Sequence, residues 1–290
     1  MRFLADSGPT AALSIQTKGK SLASSTHNPD DGVELSYDVV GEGDPILLIH
    51  GSALSRAIWR GFGYTKALRG NHRVITMDLR GHGRSGKPHT QPAYAMDVLV
   101  ADALAVLDAA EAPRAHFGGY SVGSRVGFSL AVAAPERLLS LTTLGGTFRI
   151  QPGSVGKLFF PEYDAALGSG GMPAFVAGWE ARIGGPLDAQ TRAAFLANDA
   201  QALQAYFRQT EAEPAIAESA LAALALPALL LAGTADRDRL ADSRRAAELM
   251  PNARVVELPG RNHGSTLFPA QPILDSWLPF LQEARTAANR

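Results

Sequence analysis

RAHFGGYSVGSRVGF, residues 114–128, runs from one apolar stretch through a small-residue turn into another. The first part reads as a short buried strand and the second, VGSRVGFSLAVAA, as a helix. Between them lies Gly119-Tyr120-Ser121-Val122-Gly123, a G-x-S-x-G sequence. A strand that turns directly into a helix needs a tight bend, and glycine on either side removes the Cβ atoms that would collide there. The central serine is then lifted above the sheet edge. Val122 contributes an amide at the new helix's N-terminus, pointing into the same space. The competing reading is a packing turn built from small residues. What favours a nucleophile is the context of strand before and helix after.

The surroundings repeat this alternation. VELSYDVV (33–40), PILLIH (45–50), HRVITMD (72–78), LLSLTTL (138–144), PALLLAG (227–233) and ARVVELPG (253–260) read as further strands. SRAIWRGFGYTKAL, AYAMDVLVADALAVLDAA, RLADSRRAAELM and ILDSWLPFLQEARTAA read as helices. Strands rich in Val, Ile and Leu that alternate with helices imply an α/β fold, a mostly parallel sheet covered on both faces. The strand signal disappears over 147–225, which is Ala-rich, helical in period and broken by GSGGMP, IGGP and AEPA. That segment is expected to be a helical cap inserted in a core of 33–146 and 226–290. Residues 1–32, rich in Ser, Thr, Ala and Asp, are expected to form a loose, at most partly ordered arm.

Composition narrows the function classes. The chain has 290 residues, 46% apolar and 19% charged, with net charge −1. No basic block favours nucleic acid or an anionic membrane surface as a partner. The absence of cysteine excludes disulfides, thiolate metal sites and a cysteine nucleophile. Asp6, Ser7, Gly8 and Pro9 interrupt any apolar signal region, and no run is long enough to span a membrane. A cytoplasmic location is the expectation.

A second motif needs separating from the first. GHGRSG, residues 81–86, follows the strand HRVITMD and has the form of a dinucleotide-binding turn. Such a turn needs a helix N-terminus for the pyrophosphate, yet Pro88 and Pro92 follow closely and disfavour helix there. The nucleotide reading therefore fails.

A serine nucleophile requires a base and a carboxylate to orient it. Of the histidines at 27, 50, 72, 82, 89, 116 and 263, only His263 lies in a loop just past the last strand. Open α/β sheets place their sites at such carboxyl ends. Asp236 follows the preceding strand in the same way, with Asp238 as a rival and helix capping as its competing role. His50-Gly51-Ser52 ends the strand PILLIH, where a turn could bring the Ser52 amide beside that of Val122 as an oxyanion hole.

HGSALSRAIW, MDLRGHGRSGKP, GYSVGS, LLLAGTADRD and LPGRNHGS together resemble the α/β-hydrolase superfamily in order and spacing, over 33–150 and 226–283. The resemblance makes GHGRSG a structural loop after the second parallel strand and His82 a structural residue. It implies a serine esterase or lactonase with Ser121, His263 and Asp236 as catalytic residues. Ser52 and Val122 would supply oxyanion donors, with a small-molecule substrate and no metal or other cofactor. C–C bond hydrolysis, perhydrolysis and a slow-turnover ligand receptor are the alternatives on this fold. Ser124 departs from the pattern, since many relatives have glycine there. Finally, cap residues 151–222 hold four cations against eight carboxylates, net −4. With their many aromatics they suggest a neutral, apolar ester.

Overall fold

Alternate residues of the central strands face opposite layers, and both layers are apolar. In a computed structural model that describes residues 24–288, Leu47 and Ile49 join one core while Ile46 and Leu48 join a second core on the other side. This period of two, apolar on both faces, is what a sheet covered by helices on either side demands. Eight strands form that sheet: β1 (Ser24–His27), β2 (Glu34–Val40), β3 (Asp44–Ile49), β4 (His72–Met77), β5 (Ala115–Tyr120), β6 (Leu138–Leu144), β7 (Ala228–Gly233) and β8 (Ala253–Leu258). Their order is β1-β2-β4-β3-β5-β6-β7-β8. The pairings from β4 through β3 to β8 are parallel, and β1 and β2 add an antiparallel edge. The α/β-hydrolase fold expected from the sequence is the fold observed.

The helices, in chain order, are α1 (Ala57–Gly61), α2 (Tyr64–Leu68), α3 (Met96–Ala109), α4 (Val122–Ala133), α5 (Ser154–Leu158), α6 (Tyr163–Ile183), α7 (Ala189–Leu196), α8 (Ala200–Ala212), α9 (Glu218–Ala222), α10 (Arg237–Leu249) and α11 (Gln271–Ala288). On one sheet face, α3, α4 and α10 bury residues such as Leu99, Val126 and Ala246. On the other, α1, α2 and α11 bury Trp59, Tyr64 and Trp277. Five helices, α5 to α9, occupy the connection between β6 and β7. Within it, α6 is interrupted at Gly171, whose φ of 63° and neighbour Pro173 do not fit a continuous helix.

One expectation needs correcting. SRAIWRGFGYTKAL is not one helix: the chain breaks at Phe62–Gly63, where Gly63 has φ 90°, and continues as α2. The first residues of the expected arm lie outside the described residues, but its end is built into the fold. Ser24–His27 forms the edge strand β1, and Asn28 and Asp31 reach the core.

What they reach is a charge cluster centred on Arg80. This fully buried arginine donates to both oxygens of Asp102 at 2.6 Å, to Asp31 at 2.6 Å and to the Ala93 carbonyl at 2.9 Å. Asp102 also accepts from Asn28 at 2.7 Å. In the same loop, Asp78 accepts from the Arg56 side chain and from the amides of Arg56 and Arg84. His82 is buried, its Nδ1 2.9 Å from the Arg80 carbonyl. GHGRSG is thus a hydrogen-bonded turn. It leads into an irregular segment and a 3₁₀ turn at Gln91–Tyr94, not into a helix.

Buried histidines make the fold sensitive to acid. Burial pushes His82 down to about 3 and His116 down to about 4, and lowers His50 and His72 as well. Each is depressed relative to an unfolded value of about 6.5, so the folded chain takes up fewer protons. Stability is complete above about pH 6.5 and falls as pH drops toward the folded values. Between about pH 6.5 and 5, His82 and His116 should each remove about 2 kcal/mol. The urea midpoint should therefore be clearly lower at pH 5 than at pH 7.5. An unchanged midpoint would contradict this origin of acid sensitivity.

Candidate active site

Ser121 sits between β5 and α4 with φ 54° and ψ −117°, a conformation that L-residues adopt only under constraint. The constraint is the close packing of strand and helix. A Cβ on Gly119 would lie 2.4 Å from the Gly123 carbonyl carbon, and one on Gly123 would lie 2.2 Å from the Ile49 oxygen. Neither position admits a side chain without moving backbone. The Ser121 amide donates to the Leu144 carbonyl at 3.0 Å, which ties the turn to β6. Ser124 adds a further tie: its Oγ donates to the Gly119 carbonyl at 2.6 Å and accepts from the Leu144 amide at 3.3 Å. Gly146 leaves room for it, because a Cβ there would meet the Ser124 Cβ at 2.4 Å.

Three loops bring the other candidate residues to this turn. His263, in the loop after β8, has its Nε2 2.9 Å from the Ser121 Oγ. Its Nδ1 is 2.8 Å from Oδ2 of Asp236, which follows β7 at the start of α10. The carboxylate accepts at Nδ1, which places the proton there and leaves Nε2 as an acceptor for the serine hydroxyl. Asp236 makes no side-chain cap to α10, so helix capping does not account for it. Asp238 is exposed in the first turn of α10. Of the other histidines, His50, His72, His82 and His116 are buried in the scaffold, and His89 meets Asp199 at the surface.

The electrostatics favour a neutral imidazole beside an ionised carboxylate. Burial lowers His263 from its ordinary value, the nearby Arg239 charge lowers it further, and Asp236 partly offsets both. For Asp236, burial opposes ionisation, but the His263 hydrogen bond and the charges of His263 and Arg239 prevail and hold it below the ordinary carboxylate range. Ser121 itself is half-buried and so remains accessible.

Ser52 lies in the turn after β3. A Cβ on its neighbour Gly51 would touch the Tyr120 ring at 2.8 Å and the Ser121 Cβ at 3.1 Å, so this turn rests against the nucleophile turn. Among the described residues, neither the Ser52 amide nor the Val122 amide donates to another protein group. Two free N–H groups beside a serine hydroxyl can stabilise an oxyanion.

Several contacting residues escaped the sequence reading. The Tyr120 ring stacks on His263 with centroids 5.3 Å apart, and its hydroxyl donates to the His263 carbonyl at 3.1 Å. Arg239 approaches the second Asp236 oxygen at 3.3 Å. Tyr120 adjoins the serine and Arg239 lies one helical turn from the aspartate, the only signals that could have marked them. The aromatics of 147–225 largely pack against one another: Phe159, for example, lies within 6.0 Å of Phe175, Trp179, Phe195 and Phe207. Among the described residues, no cluster of three acidic or histidine side chains could hold a metal, and no helix is long and apolar enough to cross a membrane.

The chain belongs to the α/β-hydrolase fold family, whose model matches residues 44–205. It is 43% identical over 108 residues to the rhodomycin D methylesterase DnrP of Streptomyces peucetius, a match covering 37% of this chain and 36% of that protein. It is 39% identical over 121 residues to a pimeloyl-[acyl-carrier protein] methyl ester esterase of Methylococcus capsulatus, covering 41% and 44%. The matched stretch therefore spans less than half the length of these relatives. Among solved structures, the enol-lactonase of Burkholderia xenovorans LB400 superposes with a TM-score of 0.74 over 87% of this chain and 98% of that one. At 24% identity that similarity speaks to the fold.

Proposed function

We propose that this α/β-hydrolase cleaves a carboxylic ester or lactone through an acyl-enzyme. The observation that carries the reading is the continuous path from Ser121 Oγ to His263 Nε2 at 2.9 Å and from His263 Nδ1 to Asp236 at 2.8 Å, beneath a strained serine. Ser121 attacks the carbonyl carbon as His263 Nε2 takes the hydroxyl proton. Asp236 holds the imidazole and stabilises its cation. The amides of Ser52 and Val122 hold the oxyanion, each contributing about 3 kcal/mol to lowering the barrier. His263 returns the proton to the leaving alcohol, and a water molecule then attacks the acyl-serine by the same route to release the acid. The methyl ester hydrolases among the relatives support the choice of an ester bond.

The preferred substrate is a neutral ester of short to medium length. The basis is the excess of carboxylates over cations in residues 151–222, which opposes a second negative charge on the substrate. The aromatics there, occupied with one another, add little to this argument.

Turnover of p-nitrophenyl butyrate, compared with a succinate half-ester of the same alcohol across pH, tests the reading. The butyrate should be preferred. Because His263 must be neutral and its pKa is lowered, kcat/KM should fall only as pH drops through a midpoint below 6.5. Faster turnover of the half-ester would overturn the substrate preference, and a pH-independent rate in the folded enzyme would overturn the histidine base.

A further inference from the structure

The turn carrying Ser52 is held from two directions. Core residues fix its beginning: the His50 Nδ1 donates to the Gly51 carbonyl at 2.8 Å, while its Nε2 accepts from the Leu79 amide at 3.1 Å. Beyond Gly51 the contacts come from another part of the chain. Ser52 Oγ lies 2.7 Å from the hydroxyl of Tyr206, on α8. The Ala53 carbonyl accepts from the Asn198 side chain, at the α7–α8 junction, at 3.0 Å. Asn198 Nδ2 also lies 3.1 Å from the carbonyls of Ala194 and Phe195, which anchors it to its own helix. Among the described residues, these are the only hydrogen bonds to Ser52 Oγ and to the Ala53 oxygen.

The turn needs this support, because Ala53 has φ 58°. A residue with a Cβ holds that conformation only where its surroundings impose it. Tyr206 can impose it because it is itself immobile: it is 1% exposed, with its ring edge-on to His82 at 5.0 Å and to Tyr94 at 5.8 Å. An oxyanion donor is effective only when it is aimed before the reaction, and a loosely held amide must be reoriented at each turnover.

We infer that Tyr206 and Asn198 are positioning residues, through which the helical segment between β6 and β7 holds the Ser52 amide in line with the oxyanion. This rests on the proposed role of Ser52 as an oxyanion donor.

Tyr206→Phe keeps the ring and removes only the hydroxyl. With p-nitrophenyl butyrate it should lower kcat about tenfold, less than the loss of a whole donor, while KM stays within about twofold. Ser52→Ala, which keeps the amide, should do the same. The double variant should be no worse than either single one, because both remove one hydrogen bond. Asn198→Ala, changing a half-buried side chain, should also lower kcat at constant KM, and it decides the matter if Tyr206→Phe does not fold. Wild-type kcat in Tyr206→Phe and Asn198→Ala, a loss confined to KM, or additive losses in the double variant would each overturn the inference. Labelling of Ser121 by a p-nitrophenyl alkylphosphonate in the wild-type protein tests the underlying reading separately. If Ser121 is labelled while the variants behave as wild type, only the positioning role falls.

Discussion

Ser121→Ala should eliminate ester turnover, with kcat reduced by about 10⁶ in a protein that remains folded. In the proposed mechanism this hydroxyl forms the acyl bond, and its removal should leave the buried scaffold intact. His263→Ala should be nearly as damaging, since a serine without its base is not a nucleophile near neutral pH. Combining the two should cost little more than either alone, because nucleophile and base act as a unit. Residual kcat above a few per cent in Ser121→Ala, with contaminating esterase excluded, would remove Ser121 from the role. Additive losses in the double variant would mean that the 2.9 Å contact to His263 is not used in the reaction.

Asp236→Asn should lower kcat by about 10⁴ with little change in KM. The amide is nearly the size of the carboxylate, so packing is preserved. What changes is the partner offered to His263 Nδ1. An asparagine can present its NH₂ group there, which favours the tautomer with the proton on Nε2 and leaves no acceptor for the Ser121 hydroxyl. The charge that stabilises the imidazolium is lost as well, and with it the charge pairing to Arg239, 3.3 Å from the other oxygen. Asp238→Asn provides the control: two residues along the chain but exposed and away from His263, it should change kcat by less than about twofold. The reverse ranking would show that the other carboxylate serves the histidine.

The legible parts of this protein are those written in short-range pattern. β3 to β8 could be read because each is a compact apolar run, and Ser121 because G-x-S-x-G joins a strand to a helix. Asp236 and His263 each follow a strand's carboxyl end, a rule of the fold that needs no contact information. β1 was not legible: Ser-Ser-Thr-His is polar throughout, since an edge strand that is mostly exposed needs no apolar face. The break at Gly63 was hidden because the apolar spacing runs on through it, and only the backbone conformation reveals two helices. The ties from Asn198 and Tyr206 to the Ser52 turn span 145 and 154 residues, and no local pattern encodes such contacts. The aromatics of 147–225 show the limit of composition: their number is legible, but that they pack against one another and join the core on one face of the sheet is not.

The most direct test of the central claim is a peptide mass map of the protein after reaction with a p-nitrophenyl alkylphosphonate. This reagent leaves a stable tetrahedral adduct on an activated serine and releases p-nitrophenol. One adduct is expected, on the peptide containing Ser121, formed at least a hundredfold more slowly in His263→Ala and absent in Ser121→Ala. An adduct on any other residue, or an unmodified Ser121 in a preparation whose esterase activity has been abolished by the reagent, would contradict it.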